Sequence, residues 1–156
     1  MIKIIQILLC LTLLHDAQAE QPTNSSIDFS SVEAVDLHTI FKMPAGKQGL
    51  EFNSKFLSLN ERQVQISGYM VKTDEQVQGN FLIAVRPVKL NVEDEGDAND
   101  LPASTVKVIL APEQSNLVVP YEAGIHTFRG TLKIGRQSFA GQSVSWIALQ
   151  LPPITP

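Results

Sequence analysis

Short apolar runs separated by turn residues extend from Val32 to the end of the chain, and this pattern constrains the fold most strongly. No stretch longer than about ten residues has a convincing helical period. The clearest strand is 63–72, where Val64 and Ile66 alternate with polar residues as in a half-buried strand. Four further strands are expected at 80–87, 106–110, 125–134 and 144–151. The sequence therefore predicts an all-β domain.

Two glycines interrupt the predicted strands and indicate how the sheet curves. At Gly68 one-sided burial changes to two-sided burial, because Tyr69 and Val71 place bulk on the face that was polar. A bulge or a sharp bend in a long curled strand is expected there, and Gly130 is a second kink candidate. Residues 135–137 are expected to form a turn. Five strands with two glycine breaks predict a small five-stranded OB-like barrel, closed or partly closed, with a small β-sandwich as the alternative.

The first nineteen residues predict a secretory signal peptide. Lys3 supplies the positive charge, residues 4–14 are mainly apolar, and Ala17-Gln18-Ala19 is a cleavage signature. The apolar run is shorter than the roughly 20 residues that span a bilayer. We therefore predict a signal peptide at 1–19, a flexible polar arm at 20–31 and a single barrel domain at 32–152, in a protein that is periplasmic or secreted.

Composition excludes several classes of chemistry from the predicted mature chain. The only cysteine, Cys10, lies inside the predicted signal, so disulfides, thiolate metal sites and cysteine nucleophiles are not expected. Export without disulfides favours a bacterial periplasm or exterior. The net charge is −4 and no stretch concentrates Lys or Arg, which argues against a nucleic-acid partner. No transmembrane segment is expected after signal cleavage.

One strand and its neighbours resemble a known family. The run Val64-Gln65-Ile66-Ser67-Gly68-Tyr69-Met70-Val71 follows a Leu-Asn-Glu-Arg turn, and residues 81–84, 130–135 and 144–146 continue the likeness. The chain resembles an uncharacterised family of exported bacterial proteins whose key strand is V-x-I-x-G-Y/F-M/V-V. The resemblance covers roughly residues 50–151 and implies the barrel fold rather than an activity. Some members carry cysteines or histidines after the second strand, whereas residues 85–90 here have neither, which argues against a transition-metal role.

An acidic segment, residues 93–100, is the candidate calcium site. Asp94, Asp97 and Asp100 surround Gly96 and offer the hard oxygen ligands that Ca²⁺ prefers. Their spacing is not that of an EF-hand loop, and a solvated loop is the plainer interpretation. No other cofactor is predicted.

Four residues form the candidate ligand-binding set. Arg86 and Arg129 interrupt apolar strands, and an arginine on a barrel rim can bind a carboxylate or phosphate through two hydrogen bonds. Together with Tyr69 and Trp146 they are expected to line a groove on the barrel face. The alternative is ordinary ion pairing for the arginines and a core position for Trp146.

Three further residues allow a catalytic hypothesis. Asp36 and His38 lie two residues apart, on one face if this segment is a strand, and His126 is the other histidine of the predicted mature chain. Ser138 has glycines on both sides, but it lacks the spacing of a nucleophile elbow and is expected in a turn. Hydrolytic or transfer chemistry requires Asp36, His38 and His126 to meet in one pocket, and ordinary polar positions are the plainer interpretation.

The leading hypothesis is therefore an exported, non-enzymatic binding or accessory module of the bacterial cell envelope, with an envelope or periplasmic protein as its partner. The alternative is a carrier of a small ligand or Ca²⁺ through the barrel face or the loop 93–100.

Overall fold

The computed structural model describes residues 32–74, 77–90 and 101–153, with the backbone alone at 142–144. The predicted signal peptide, the arm 20–31 and the acidic residues Asp94, Asp97 and Asp100 lie outside these ranges. The described elements are β1 (Glu33–Val35), α1 (Ser54–Leu57), β2 (Gln63–Met70), β3 (Lys72–Thr73), β4 (Asn80–Ala84), β5 (Lys89–Leu90), β6 (Val106–Ile109), a 3₁₀ turn (Pro112–Gln114), β7 (Ile125–Phe139) and β8 (Gln142–Gln150).

Five of these strands pair in a ring. The order is β2-β4-β6-β8-β7, and β7 pairs with β2 again to complete the circuit. Only the β6–β8 pair in this ring is parallel. Numbered along the chain, the ring has the order 1-2-3-5-4, which is the arrangement of a five-stranded Greek-key barrel of the OB type. The all-β class and the partly closed barrel are thus confirmed, and β1 extends the sheet by pairing in parallel with β2.

The longest strand, β7, belongs to two parts of the ring. Its first half, up to Thr131, pairs with β2, and its second half pairs with β8. Gly130 stands beside this change of partner, and a Cβ at this position would overlap the carbonyl oxygen of Gln150. The glycine predicted to kink the strand therefore permits a close approach of β8 to β7.

The core fills the inside of the ring. Eight of its aliphatic side chains are fully buried, and burying each contributes about 1.5–3 kcal/mol. They are Val64, Ile66, Ile83, Val106, Val108, Leu132, Ile147 and Leu149. Helix α1 adds Phe56 to this core, beside the stacked rings of Phe41 and Phe52. Asn53 caps α1, because its Oδ1 accepts a hydrogen bond from the Phe56 amide at 2.8 Å.

Strand β4 is buried on both faces. Phe81 and Ile83 point into the main core, whereas Leu82 and Ala84 join a second apolar cluster with Leu90 of β5. This explains the nearly continuous apolar run in the sequence, although the strand ends at Ala84 rather than at residue 87. In OB barrels the second and third strands commonly present the ligand-binding face. In this protein the second strand of the barrel is β4, and its outer side is covered by the second apolar cluster, which includes Leu90.

The structure contradicts the bulge considered for Gly68, the turn expected at 135–137 and the turn position expected for Ser138. Strand β2 pairs with β7 from Gln63 to Tyr69 without a shift, so Gly68 is not a bulge. The bulge lies instead in β7, where the register shifts between Ile134 and Gln137, and the strand continues through the expected turn at 135–137. Ser138 lies in β7, and the chain reverses after it at residues 140–141, where both φ angles are positive. The extra residues of β7 relative to β8 are thus accommodated by a bulge within the strand, and the chain does not turn at 135–137.

Within the described ranges no helix has the length and apolar character needed to cross a membrane.

Candidate functional site

The barrel wall is interrupted beside β2. One edge of this strand pairs with β7 throughout, while the other edge pairs first with β1, at residues 64–66, and then with β4, at residues 69–70. Ser67 and Gly68, which lie between these two paired stretches, have no strand partner on the second edge. A cleft of about 330 Å³ opens there, between residues 34–38 and the end of β4. We call it the wall cleft.

The wall cleft is largely apolar. Val35, Leu37 and Val85 contribute to its sides, and all three also pack against the main core. Tyr69 and Ile125 form part of its lining from opposite strands, and 63% of Ile125 is exposed. Its volume is at the lower end of the usual range for ligand sites, about 300–1,000 Å³. The cleft therefore fits a small apolar group with a polar edge.

The polar residues of the cleft stabilise its own backbone. The Oδ1 of Asp36 accepts a hydrogen bond from the amide of His38 at 2.9 Å, and the Asp36 carbonyl accepts two from Thr39 at 3.0 Å. Asp36 and His38 therefore lie in a turn that follows β1, and the expectation that they share one strand face is wrong. An Asp side chain commonly closes a turn in this way.

His126 has a local partner. It lies on β7 opposite Gly68, half-buried, with its Nδ1 3.8 Å from the Glu122 carboxylate and its Nε2 3.3 Å from the Glu122 carbonyl. Its ring also contacts Phe128, with 6.3 Å between the ring centroids. Within residues 32–74, 77–90 and 101–153, no group of three or more His, Cys, Asp or Glu side chains is placed to hold a metal ion.

The four predicted ligand residues are spread over the barrel. Arg129 lies on β7 opposite Gln65, and its Nε donates to the Gln65 Oε1 at 2.8 Å. Tyr69 is on the same outer face, four residues along β2. Arg86 is in a bend past the end of β4 rather than within a strand. Trp146 faces the β7 bulge. Tyr69 is paired with Ile125, which lies roughly ten residues before this bulge, or about 33 Å measured along β7. One groove does not contain all four.

Trp146 does not have the core position considered as the alternative, because 52% of it is exposed. The guanidinium of Arg136 lies over its ring, 5.4 Å from the centroid. The bulge places these two residues together, since residues 135 and 136 both stand opposite Trp146. The adjacent Gly135 is the sequence signal for this irregularity, and it marks a bulge within β7 rather than the expected turn.

No family model matches this chain, and neither a curated protein nor a solved structure matches it.

Proposed function

We propose that the protein is an exported, non-enzymatic binding module that serves a protein partner in the bacterial cell envelope. The observation that carries this proposal is the wall cleft, an apolar opening beside Ile125, which is a large and mostly exposed side chain. In protein–protein interfaces, side chains that fill well-packed, desolvated pockets carry most of the binding energy. The partner inserts an apolar side chain into the cleft, and the partner residues next to that side chain pack against Tyr69 and Ile125.

A binding role fits the polar groups better than catalysis does. Catalysis by acid and base needs groups directed at a substrate, within hydrogen-bond reach of it. The Asp36 carboxylate instead accepts a hydrogen bond from the backbone amide of His38, and the His126 ring lies beside the Glu122 carboxylate. These contacts hold the turn and the barrel end in place, which gives the cleft a fixed shape.

Site-specific photocrosslinking in the native bacterium tests this proposal. A photoreactive amino acid replaces Ile125 in one strain and Leu50 in a control strain, because Leu50 is a similarly exposed apolar residue outside the cleft lining. We expect a single crosslinked envelope protein from position 125 and none from position 50. Equal crosslinking at both positions, or none at position 125, would contradict the proposal.

Export is tested separately by N-terminal sequencing of the protein recovered from the periplasm and the medium. We expect the mature chain to begin at Glu20. A cytoplasmic protein that retains residues 1–19 would refute export while leaving the docking test valid.

A second candidate function is a carrier of a small ligand, and the volume of the wall cleft favours it. Native mass spectrometry of the purified protein is expected to show a bound small molecule that Val85→Trp removes, because the larger side chain fills the cleft. The calcium version of this hypothesis uses loop 93–100, and replacing Asp94, Asp97 and Asp100 by Asn is expected to abolish calcium binding measured by calorimetry. A spectrum without a ligand, together with a flat calcium titration, would exclude the carrier role.

A further inference from the structure

Three strands place cationic residues together that are far apart in the sequence. Lys107 of β6 and Lys133 of β7 both stand opposite Ala148 of β8, one on each side. Their neighbours Val106, Val108 and Leu132 face the core. Because side chains alternate between the faces of a strand, Lys107, Ala148 and Lys133 share the outer face. Neighbouring strands are about 4.8 Å apart, so the two lysine Cβ atoms are roughly 10 Å from each other.

Lys107, Ala148 and Lys133 form one row across the three strands, and the next row on the same face contains an aromatic and a cationic residue. Trp146 precedes Ala148 by two residues on β8, and the Arg136 guanidinium lies over its ring. We call Lys107, Lys133, Arg136 and Trp146 the cationic patch. A guanidinium held over an aromatic ring is preorganised for a carboxylate, because its planar fork of N–H donors keeps one orientation. The patch shares no residue with the lining of the wall cleft.

Among the described residues, the cations of the patch have no acidic partner. The ion pairs found there join Lys42 to Glu51, Lys55 to Glu33, Lys89 to Asp74 and His126 to Glu122.

The Nζ of Lys107 donates instead to the carbonyl of Ser138 at 2.7 Å. Partial burial also lowers the pKa of Lys107, because it removes water from the ammonium. An ammonium has three donors, so Lys107 retains donors for a further acceptor. An anion at this position would restore part of the lost solvation.

We propose that the cationic patch binds an acidic peptide segment of a partner in an extended conformation, with carboxylates at alternate positions. The rows of Arg136 and Lys133 are separated by two residues of β8, which is about 6.6–6.8 Å. Side chains at positions i and i+2 of an extended peptide have the same spacing and the same direction. Two successive acidic side chains therefore reach Arg136 and Lys133, while the peptide packs on Trp146.

Fluorescence anisotropy with a labelled eight-residue peptide of alternating Glu and Thr tests this inference at low salt. A peptide of alternating Gln and Thr is the neutral control, and a single-stranded oligonucleotide is the polyanion control. We expect the purified protein to bind the Glu peptide, to bind it more weakly as salt is added, and to bind the Gln peptide at least tenfold more weakly. Tighter binding of the oligonucleotide, or equal binding of both peptides, would overturn the proposal.

Matched variants locate the binding surface. Replacing both Lys133 and Arg136 by Gln is expected to weaken binding of the Glu peptide about tenfold, because two rim ion pairs are lost. Trp146→Ala is also expected to weaken it. The control replaces Lys47 and Arg62 by Gln, which removes one exposed lysine and one exposed arginine outside the patch, and it is expected to change the affinity less than twofold. Circular dichroism confirms that each variant is folded, and equal weakening by the patch and control variants would refute the assignment.

Discussion

Replacing Gly68 by Ala tests how closely the end of β4 approaches β2 beside the wall cleft. An added Cβ at this position would lie 2.9 Å from the Ala84 carbonyl oxygen and 3.5 Å from the Ile83 Cβ. Because Ala84 is paired with Tyr69, β4 can relieve this overlap only by moving away from β2. Overpacking of this kind costs about 1–3 kcal/mol. Alanine also restricts the unfolded chain, which stabilises a folded protein by about 0.4–1 kcal/mol where the backbone allows it.

Gly135→Ala is the matched control, because the same residue change occurs in a strand with open space around it. Nothing lies within 4 Å of a Cβ at Gly135, and its φ is outside the left-handed region. The effect on the unfolded chain is common to both variants, so the difference in their unfolding free energies isolates the strain at Gly68. We expect Gly68→Ala to be about 1–3 kcal/mol less stable than Gly135→Ala.

Urea unfolding followed by circular dichroism measures this difference. With a slope of about 1–3 kcal/mol per molar urea, the midpoints of the two variants should differ by on the order of 1 M. Equal midpoints with equal slopes would show that β4 does not approach β2 closely at Gly68.

Three further changes probe local features. Asn53→Ala removes the hydrogen bond to the Phe56 amide that caps α1, and we expect a loss of about 0.5–2 kcal/mol in urea unfolding, whereas unchanged stability would show that the cap is dispensable. The hydrogen bond and the charge of Lys42 lower the pKa of the Glu51 carboxyl, so the stability from this pair is present above the unfolded pKa and is lost as the pH falls through the lower folded pKa. In an NMR titration Lys42→Gln should raise the pKa of Glu51, and an unchanged value would contradict the ion pair. Ala140 has a φ of 48° directly before a glycine, so Ala140→Asn should raise the thermal midpoint, with a gain of about 0.5–1 kcal/mol, and a lower midpoint would refute this.

The strands were predictable from the sequence because a strand buried on one face alternates apolar and polar residues. Val64 and Ile66 indicated the inner face of β2, and the apolar run 80–84 indicated a strand covered on both sides. The position of the β7 bulge was not predictable. A glycine followed by polar residues is typical of a turn, and only the pairing with β8 shows that the strand continues past Gly135.

The candidate surfaces were less accessible to sequence reasoning, since they depend on which strands become neighbours. Tyr69 was identified, but the wall cleft exists because β1 stops pairing before β4 begins, and neither end is marked by a distinctive residue. The cationic patch is hidden from the sequence for the same reason. Lys107 and Lys133 are isolated charges in the sequence and come close only because β6 and β7 pair with opposite edges of β8.

The shared strand β7 has a consequence for how the chain is made. Ser67 and Thr127 contact each other through their hydroxyls although 60 residues separate them in the sequence. During synthesis β2, β4 and β6 emerge first, and the edge of β2 has no β7 to pair with until most of the domain has been made. Non-local pairing of this kind slows folding and leaves strand edges open to other chains. Truncation before β7 would therefore leave one edge of β2 unpaired and the ring open, so we expect such a fragment to be less stable than the full domain and more prone to associate through that edge.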